Sequence, residues 1–526
     1  MDNSTIRARL LDIRDYGQAR REFSWEGLWE IMDGSPAHLN IAHECIDRHP
    51  DTTIAARIQF ADGHREIYSF RELKAWTSRF AYFLGHERIE RGDCIAIMLD
   101  PSLEFLACKF GAMKRGVTVA LLSTLFGADA VLQRIEQCKP KLLIVPPGSK
   151  IRLGDHLGVR VVEADAALRT ALAAEPDSFP VADTSADDLA FYLFTSGTTR
   201  KRAAAIPHRH RAVVTLMQSA LYGFGIRPGD VFFSPSSPAY GFSAHTLISP
   251  LALGVGVGSL SGPFDPIRVL EALQEFRITN LCAPPTAYRG IMKSGRIGDY
   301  RLVLEKATYS GEPMDSTTAQ WVQANFKVPA CGVYGSAEVS TFIGNYPGFD
   351  GFVVKPGALG KPFPGREVTI LDETGKPCPL GVTGEIAIRK RGEWFLIKDR
   401  GSMDEDGYFY HAGRSDDAII SAGYTISATE MEDVLFRHKD VKDVAVIGAK
   451  DEMRGLIPKA FIVSDRRGPE FVSELQMFAK EHLGKHEYPR AVAFLEVLPR
   501  TTASKIDRKI LRAMDAGNDE RSGLET

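Results

Sequence analysis

The chain has 526 residues, 44% hydrophobic and 25% charged, with 64 Lys and Arg against 67 Asp and Glu for a formal charge of −3. That length calls for more than one core, and the composition is that of a globular protein. The near-balance of charge excludes the basic field of a nucleic-acid binder or of a membrane-surface protein, so an anion site has to be built locally.

The N-terminal stretch MDNSTIRARLLDIRDYG is charged and lacks an apolar run, so no signal peptide is expected. Apolar residues at Phe70, Leu73, Trp76, Phe80 and Phe83 predict a helix over 70–84, and 93–99 reads as a buried strand. A helix over 104–115, a strand over 117–122 and another over 141–145 follow. This alternation predicts α/β architecture with largely parallel sheets. The apolar run 247–260 is Gly-rich, broken by Ser249 and Pro250, and too short to span a bilayer. Residues 368–389 read as short strands between Gly and Pro turns, a β-rich subdomain. Asp404–Gly407 is a turn, 408–411 a short strand, and the small polar residues Gly413–Asp417 a linker. About a hundred further residues suit a small α+β domain. It has helices over 429–438 and 469–483, strands over 444–448 and 460–463, and a polar tail frayed from Asp515. The predicted division is 1–413 and 414–526. Seven scattered cysteines form no CxxC pair or zinc-like cluster, which points to reduced thiols and a cytoplasmic location.

Four segments carry chemistry. An apolar strand, 189–194, runs into Thr195, Ser196, Gly197, Thr198 and Thr199, then Arg200, Lys201 and Arg202. Small residues let backbone N–H groups approach an anion, and the cations neutralise it. Alone, the pattern fits a polyphosphate cradle and a solvated Ser/Thr turn equally. It lacks Walker A spacing. Tyr334-Gly335-Ser336-Ala337-Glu338 offers a stacking ring and a carboxylate able to hold Mg²⁺ beside phosphates; alone it also fits a turn with an exposed Glu. In 399–417 an Asp and an Arg near one turn suit a ribose diol, or a charged hairpin. In 499–509, Lys505 is a mobile point charge suited to charge developing at phosphorus, or part of a surface basic patch.

The order and separation of these segments, with Ser310-Gly311-Glu312-Pro313 between the first two, resemble the acyl-CoA synthetase superfamily. That family includes luciferase and peptide-synthetase adenylation domains. The resemblance runs from about Phe70 to Arg512. It implies a large N-terminal domain of two parallel-rich sheets plus a β-rich subdomain, and a small mobile C-terminal α+β domain. It implies ATP, Mg²⁺ and coenzyme A, with a small carboxylic acid as substrate. By resemblance, Thr195 to Lys201 wrap the phosphates, Ser310 to Pro313 form the adenine turn, and Tyr334 stacks on adenine. Glu338 holds Mg²⁺, Asp399 the ribose, and Arg414 the ribose or phosphate. Asp416 is the hinge, Lys505 the lysine of adenylation, and Gly423 the glycine past which pantetheine threads.

Pro238-Ala239-Tyr240-Gly241-Phe242 and Ala283–Arg289 resemble benzoate-type aryl–CoA ligases. Tyr240 and Gly241 are therefore substrate candidates, for an aryl, cyclic or medium-chain acid. Three features depart from the family pattern. Ala203 stands at the loop-lysine position, Ala337 precedes the magnesium glutamate, and the stretch from Glu385 to Asp399 is short. Other acceptors or acids stay open: carrier-protein pantetheine, an amine, or nitrite in a diazotase. So does a non-catalytic binding relative. A monomer or homodimer without a membrane span or nucleic-acid partner is expected.

Overall fold

In a computed structural model, the structure describes residues 10–149, 158–194, 204–239, 244–336, 339–414, 419–421, 424–426, 428–451, 455–483, 488–501 and 505–522. The chain divides into two compact units, the first formed by residues 1–311, 322–353 and 363–365, the second by 312–321, 354–362 and 366–526.

The first unit carries β1 (Ile54–Gln59), β2 (Arg65–Ser69), β3 (Cys94–Ile97), β4 (Thr118–Leu121), β5 (Leu142–Val145), β6 (Arg160–Glu163) and β7 (Leu189–Phe194). It continues with β8 (Ala205–Arg209), β9 (Phe232–Ser234), β10 (Val257–Leu260), β11 (Asn280–Cys282), β12 (Lys306–Ser310), β13 (Ala330–Ser336) and β14 (Ser340–Gly344). One sheet has the order β6-β5-β3-β4-β7-β8. It is parallel except at β7–β8, where a loop too short for a crossover reverses the chain. The other runs β14-β13-β12-β11-β9-β10-β1-β2 and is antiparallel only at its two edges.

The predicted helices form where their local signals are strongest. Helix Phe70–His86 starts on a capping box between Ser69 and Glu72 and buries Phe70, Leu73, Phe80 and Leu84 along one face. Helix Leu103–Lys114 buries every residue but Glu104 and contributes to the main core together with side chains of both sheets. An all-round apolar helix is stable only when covered on all sides. Its two lysines have different environments. Lys114 Nζ pairs with Asp47 at 2.6 Å. Lys109 Nζ faces the rings of Phe105, Phe110 and Phe191, and burial pulls its pKa down to about 8.

Buried histidines give this unit a pH dependence. Burial pushes His210 and His245 down to about 4, and His210 Nδ1 accepts a hydrogen bond from Ile41 N–H at 3.0 Å, which needs that nitrogen unprotonated. A folded pKa below the unfolded value means the unfolded chain binds more protons. The stabilisation is therefore present above about pH 6.5 and lost as pH falls towards 4. Urea unfolding at pH 5 should show a loss of about 1–2 kcal/mol per histidine relative to pH 7.5; equal stability at the two pH values would overturn this.

The second unit carries β15 (Ala358–Pro362), β16 (Val368–Leu371), β17 (Gly384–Lys390), β18 (Glu393–Met403) and β19 (Phe409–Arg414), an antiparallel sheet in the order β16-β17-β18-β19-β15. The short stretch before Asp399 is a tight hairpin turned by Arg391 and Gly392, both at positive φ. A second sheet is built from β20 (Ile419–Ser421), β21 (Tyr424–Ile426), β22 (Asp443–Asp451), β23 (Gly455–Val463) and β24 (Ala491–Phe494). Helices Ala428–Phe436 and Pro469–His482 pack on it around Met431, Leu435, Phe471 and Leu475.

Two expectations fail here. Gly413 and Arg414, read as linker, close strand β19, because Arg414 pairs across to Asp399. The tail read as frayed from Asp515 is helical over Arg508–Ser522. Its polar composition hides two tertiary anchors: Leu511 is fully buried, and Asp515 pairs with Lys459. Among the described residues, no helix is long and apolar enough to cross a membrane.

Candidate active site

The phosphate-loop candidates Thr195, Ser196, Gly197, Thr198, Thr199, Arg200 and Lys201 lie outside the described residues, but both stems of the loop are described. β7 buries Ala190, Phe191, Leu193 and Phe194, and Phe194 pairs with Ala205 at the start of β8. The loop therefore springs from a closed antiparallel pair at the sheet edge. Tyr240, Gly241, Glu338, Asp416 and Gly423 also lie outside the described residues.

Ser310 ends β12 and Tyr334 lies near the end of β13, two parallel neighbours in which Ser310 pairs with Val333. The structure thus brings the two adenine candidates to adjacent strand ends, where parallel sheets gather ligand-binding loops. Gly311 follows at φ 96°, a backbone open to glycine at no cost. Tyr334 is half-buried and held edge-on by Phe342, with ring centroids 5.4 Å apart. Gly335 cannot carry a side chain: a Cβ there would sit 2.2 Å from the Ser340 carbonyl oxygen of β14. Glu312 and Pro313 follow in the chain, Glu312 half-buried and Pro313 exposed.

Two hydroxyls beside this motif are buried without a partner, Ser336 Oγ and Thr341 Oγ1. Thr341 is the cross-strand partner of Gly335. Unsatisfied buried hydroxyls are costly unless a ligand or water satisfies them. Their chemistry fits phosphate oxygens or a hydrated Mg²⁺ next to Glu338 in the chain. Sequence reasoning passed over Thr341, because only the β13–β14 register brings it beside the motif.

In the second unit, Asp399 of β18 lies directly opposite Arg414 of β19. The two residues expected to share the ribose are thus cross-strand neighbours. His411 Nε2 stands 3.6 Å from Asp399 Oδ2, and both side chains are largely buried. His411 lies in a segment the sequence singled out, yet its position beside Asp399 depends on a register shift between Asp399 and Gly401. Lys505 is exposed at the foot of a pinched loop, closed by Thr501 N–H donating to the Lys505 carbonyl at 2.7 Å and by an Arg500–Ile506 bridge. Ion pairs from Arg500 to Asp443 and from Arg508 to Glu432 hold both flanks of that loop.

A small hollow in the first unit is lined by Phe105, Leu106, Ser234, Ser236, Pro238 and Ser259, among others. Pro238 lies two residues before Tyr240, so the hollow adjoins the substrate-candidate segment. Among the described residues, one cluster has metal-like spacing: His438, Asp440 and Glu474. Arg466 already engages both carboxylates, which makes this an ion-pair network and not a metal site.

Residues 42–393 match the model of the AMP-binding enzyme family, and residues 430–505 that of the AMP-binding enzyme C-terminal domain. The chain is 32% identical to the uncharacterized acyl–CoA ligase YtcI of Bacillus subtilis (strain 168), over 86% of this chain and 91% of that protein. It is 28% identical to the 3-hydroxybenzoate–CoA ligase of Aromatoleum sp. (strain CIB), over 90% and 97% respectively. The anthranilate CoA ligase AuaEII, solved in complex with anthranoyl-AMP, has the same fold. It superposes with a TM-score of 0.81 at 24% identity, over 91% of this chain and 98% of that one.

Proposed function

The chain belongs to the AMP-binding enzyme family of AMP-forming acyl–CoA ligases, and from that premise we propose that it joins a carboxylic acid, aryl, cyclic or medium-chain, to coenzyme A through an acyl-AMP. The observation that best supports this reading is the β18–β19 register, which sets Asp399 opposite Arg414, the two residues expected at the nucleotide sugar. The apposition of Ser310 and Tyr334 on adjacent strands supports an adenine site. An aryl acid is favoured by the likeness to a 3-hydroxybenzoate–CoA ligase and by the aromatic residue at Tyr240.

In the proposed reaction a carboxylate oxygen attacks the α-phosphorus in line, and pyrophosphate leaves with the electrons of the broken P–O bond. The CoA sulfur then attacks the acyl carbon and AMP departs. The protein contributes mainly positioning and charge neutralisation. The 195–201 loop holds the β- and γ-phosphates, and Tyr334 and Ser310 to Pro313 hold the base. Asp399 accepts hydrogen bonds from the ribose hydroxyls, Arg414 faces ribose or phosphate, and Lys505 balances charge at the reacting oxygens. Mg²⁺, held by Glu338, neutralises phosphate charge when bound. A hinge at Asp416, with a boundary after residue 413, and a pantetheine path past Gly423 belong to the same proposal. So does a cytoplasmic location, which the seven cysteines, none in a disulfide, support.

The test is pyrophosphate release with ATP and Mg²⁺ across aryl, cyclic, medium-chain and amine-bearing acids, with and without CoA. Acid-dependent release with thioester formation upholds the proposal. Release without thioester transfers the acyl group to another acceptor, and absence of release with every acid overturns the ligase reading. Glu338→Ala should raise the Mg²⁺ concentration for half-maximal release by about tenfold or more, as loss of a carboxylate ligand implies. An unchanged Mg²⁺ titration removes Glu338 from the metal site.

A further inference from the structure

Helix Ala128–Cys138 grips both stems of the phosphate loop through two residues that the reaction as described does not use. Arg134 is 8% exposed, and its guanidinium lies over the ring of Phe126, 3.9 Å from the centroid, and over the ring of Phe194 at 5.4 Å. Phe194 is the last residue before the loop. On the next turn of the helix, Gln137 Oε1 accepts a hydrogen bond from Ala205 N–H at 2.9 Å, and Ala205 is the first residue of the strand that leaves the loop. Phe194 and Ala205 are themselves cross-strand partners. One short helical face therefore holds the entry and the exit of residues 195–204.

We propose that Arg134 and Gln137 are positioning residues for ATP, setting the stance of the phosphate loop by clamping its two stems. Packing alone does not call for an arginine between two phenyl rings: leucine or methionine would fill the space without burying a charge. A cation stacked on Phe194 fixes that ring's orientation through the face quadrupole, which an aliphatic chain does not do. It also keeps a positive charge beside Phe194 at the stem of the loop. Pinning Phe194 and Ala205 fixes the two points from which the loop departs, and so the place where its backbone meets a ligand. Gln137 is held in turn, since its Nε2 donates to the Gln133 carbonyl at 2.9 Å.

The inference rests on the proposed ATP role of the 195–201 loop, and the experiment separates the two. Wild type is assayed first for acid-dependent pyrophosphate release; its absence overturns the ligase reading itself. Where wild type is active, Arg134→Met and Gln137→Leu are compared for the KM of ATP and the KM of the acid. A tenfold rise in ATP KM corresponds to about 1.4 kcal/mol and is expected for Arg134→Met. Gln137→Leu should give a smaller rise, the acid KM should hold in both, and Arg134→Lys should restore part of the loss. Gln137 is near the surface, so its variant keeps the test alive if Arg134→Met does not fold. An unchanged ATP KM in folded variants, or equal rises for ATP and acid with no rescue by lysine, overturns the clamp.

Discussion

Replacing Lys505 by alanine is expected to abolish acid-dependent pyrophosphate release, a fall of roughly three orders of magnitude, while thioester formation from supplied acyl-AMP stays nearly intact. The asymmetry follows from where charge develops. In the first half-reaction a carboxylate approaches an already anionic phosphate, so negative charge concentrates at the reacting oxygens and a nearby ammonium stabilises the transition state more than the ground state. In the second, a thiolate displaces AMP from a neutral acyl carbon, and this demand is much weaker. The fold suits the role. The bridge between Arg500 and Ile506 and the Thr501–Lys505 hydrogen bond fix the foot of the loop, and the Lys505 side chain is exposed. Truncation of an exposed side chain leaves the core intact, so the melting temperature should change little. Pyrophosphate release at the wild-type rate in Lys505→Ala would falsify the assignment.

Asp399→Ala is the second large effect expected, a rise in the KM of ATP of about ten- to a hundredfold with little change in the KM of the acid. A hydrogen bond to a charged acceptor contributes about 1.5–3 kcal/mol, and each 1.4 kcal/mol is a factor of ten. Asp399→Asn keeps an acceptor but loses the charge, so it should fall between wild type and alanine. His411→Ala removes the 3.6 Å neighbour of the carboxylate and should act in the same direction more weakly. The measurement is an initial-rate matrix in ATP and acid, with circular dichroism to verify folding. A change confined to the acid KM would move Asp399 out of the nucleotide site.

Much of this molecule was legible in one dimension. The helix beginning at Phe70 has a complete start signal and a five-residue apolar stripe, and both are local properties of the chain. β4 and β5 appeared as apolar runs because parallel strands covered on both faces lose the alternating pattern. The site was legible as a series of weak segments whose order and separation made a family resemblance, which the family match now bears out.

The sequence by itself determined the α/β class, the positions of the main elements and the order of the candidate segments, since all three depend on short-range periodicity and residue type. Only the tertiary structure decided which residues face one another. Cross-strand register is a long-range property, and a shift of one residue turns a side chain to the opposite face. That is why the Asp399–Arg414 pairing, His411 beside Asp399, and Thr341 beside Gly335 emerged only from the folded sheets. The C-terminal helix is the same lesson in reverse. Its polar sequence has little reason to be ordered alone, and burial of Leu511 and the Lys459–Asp515 pair, both supplied by distant parts of the chain, hold it in place.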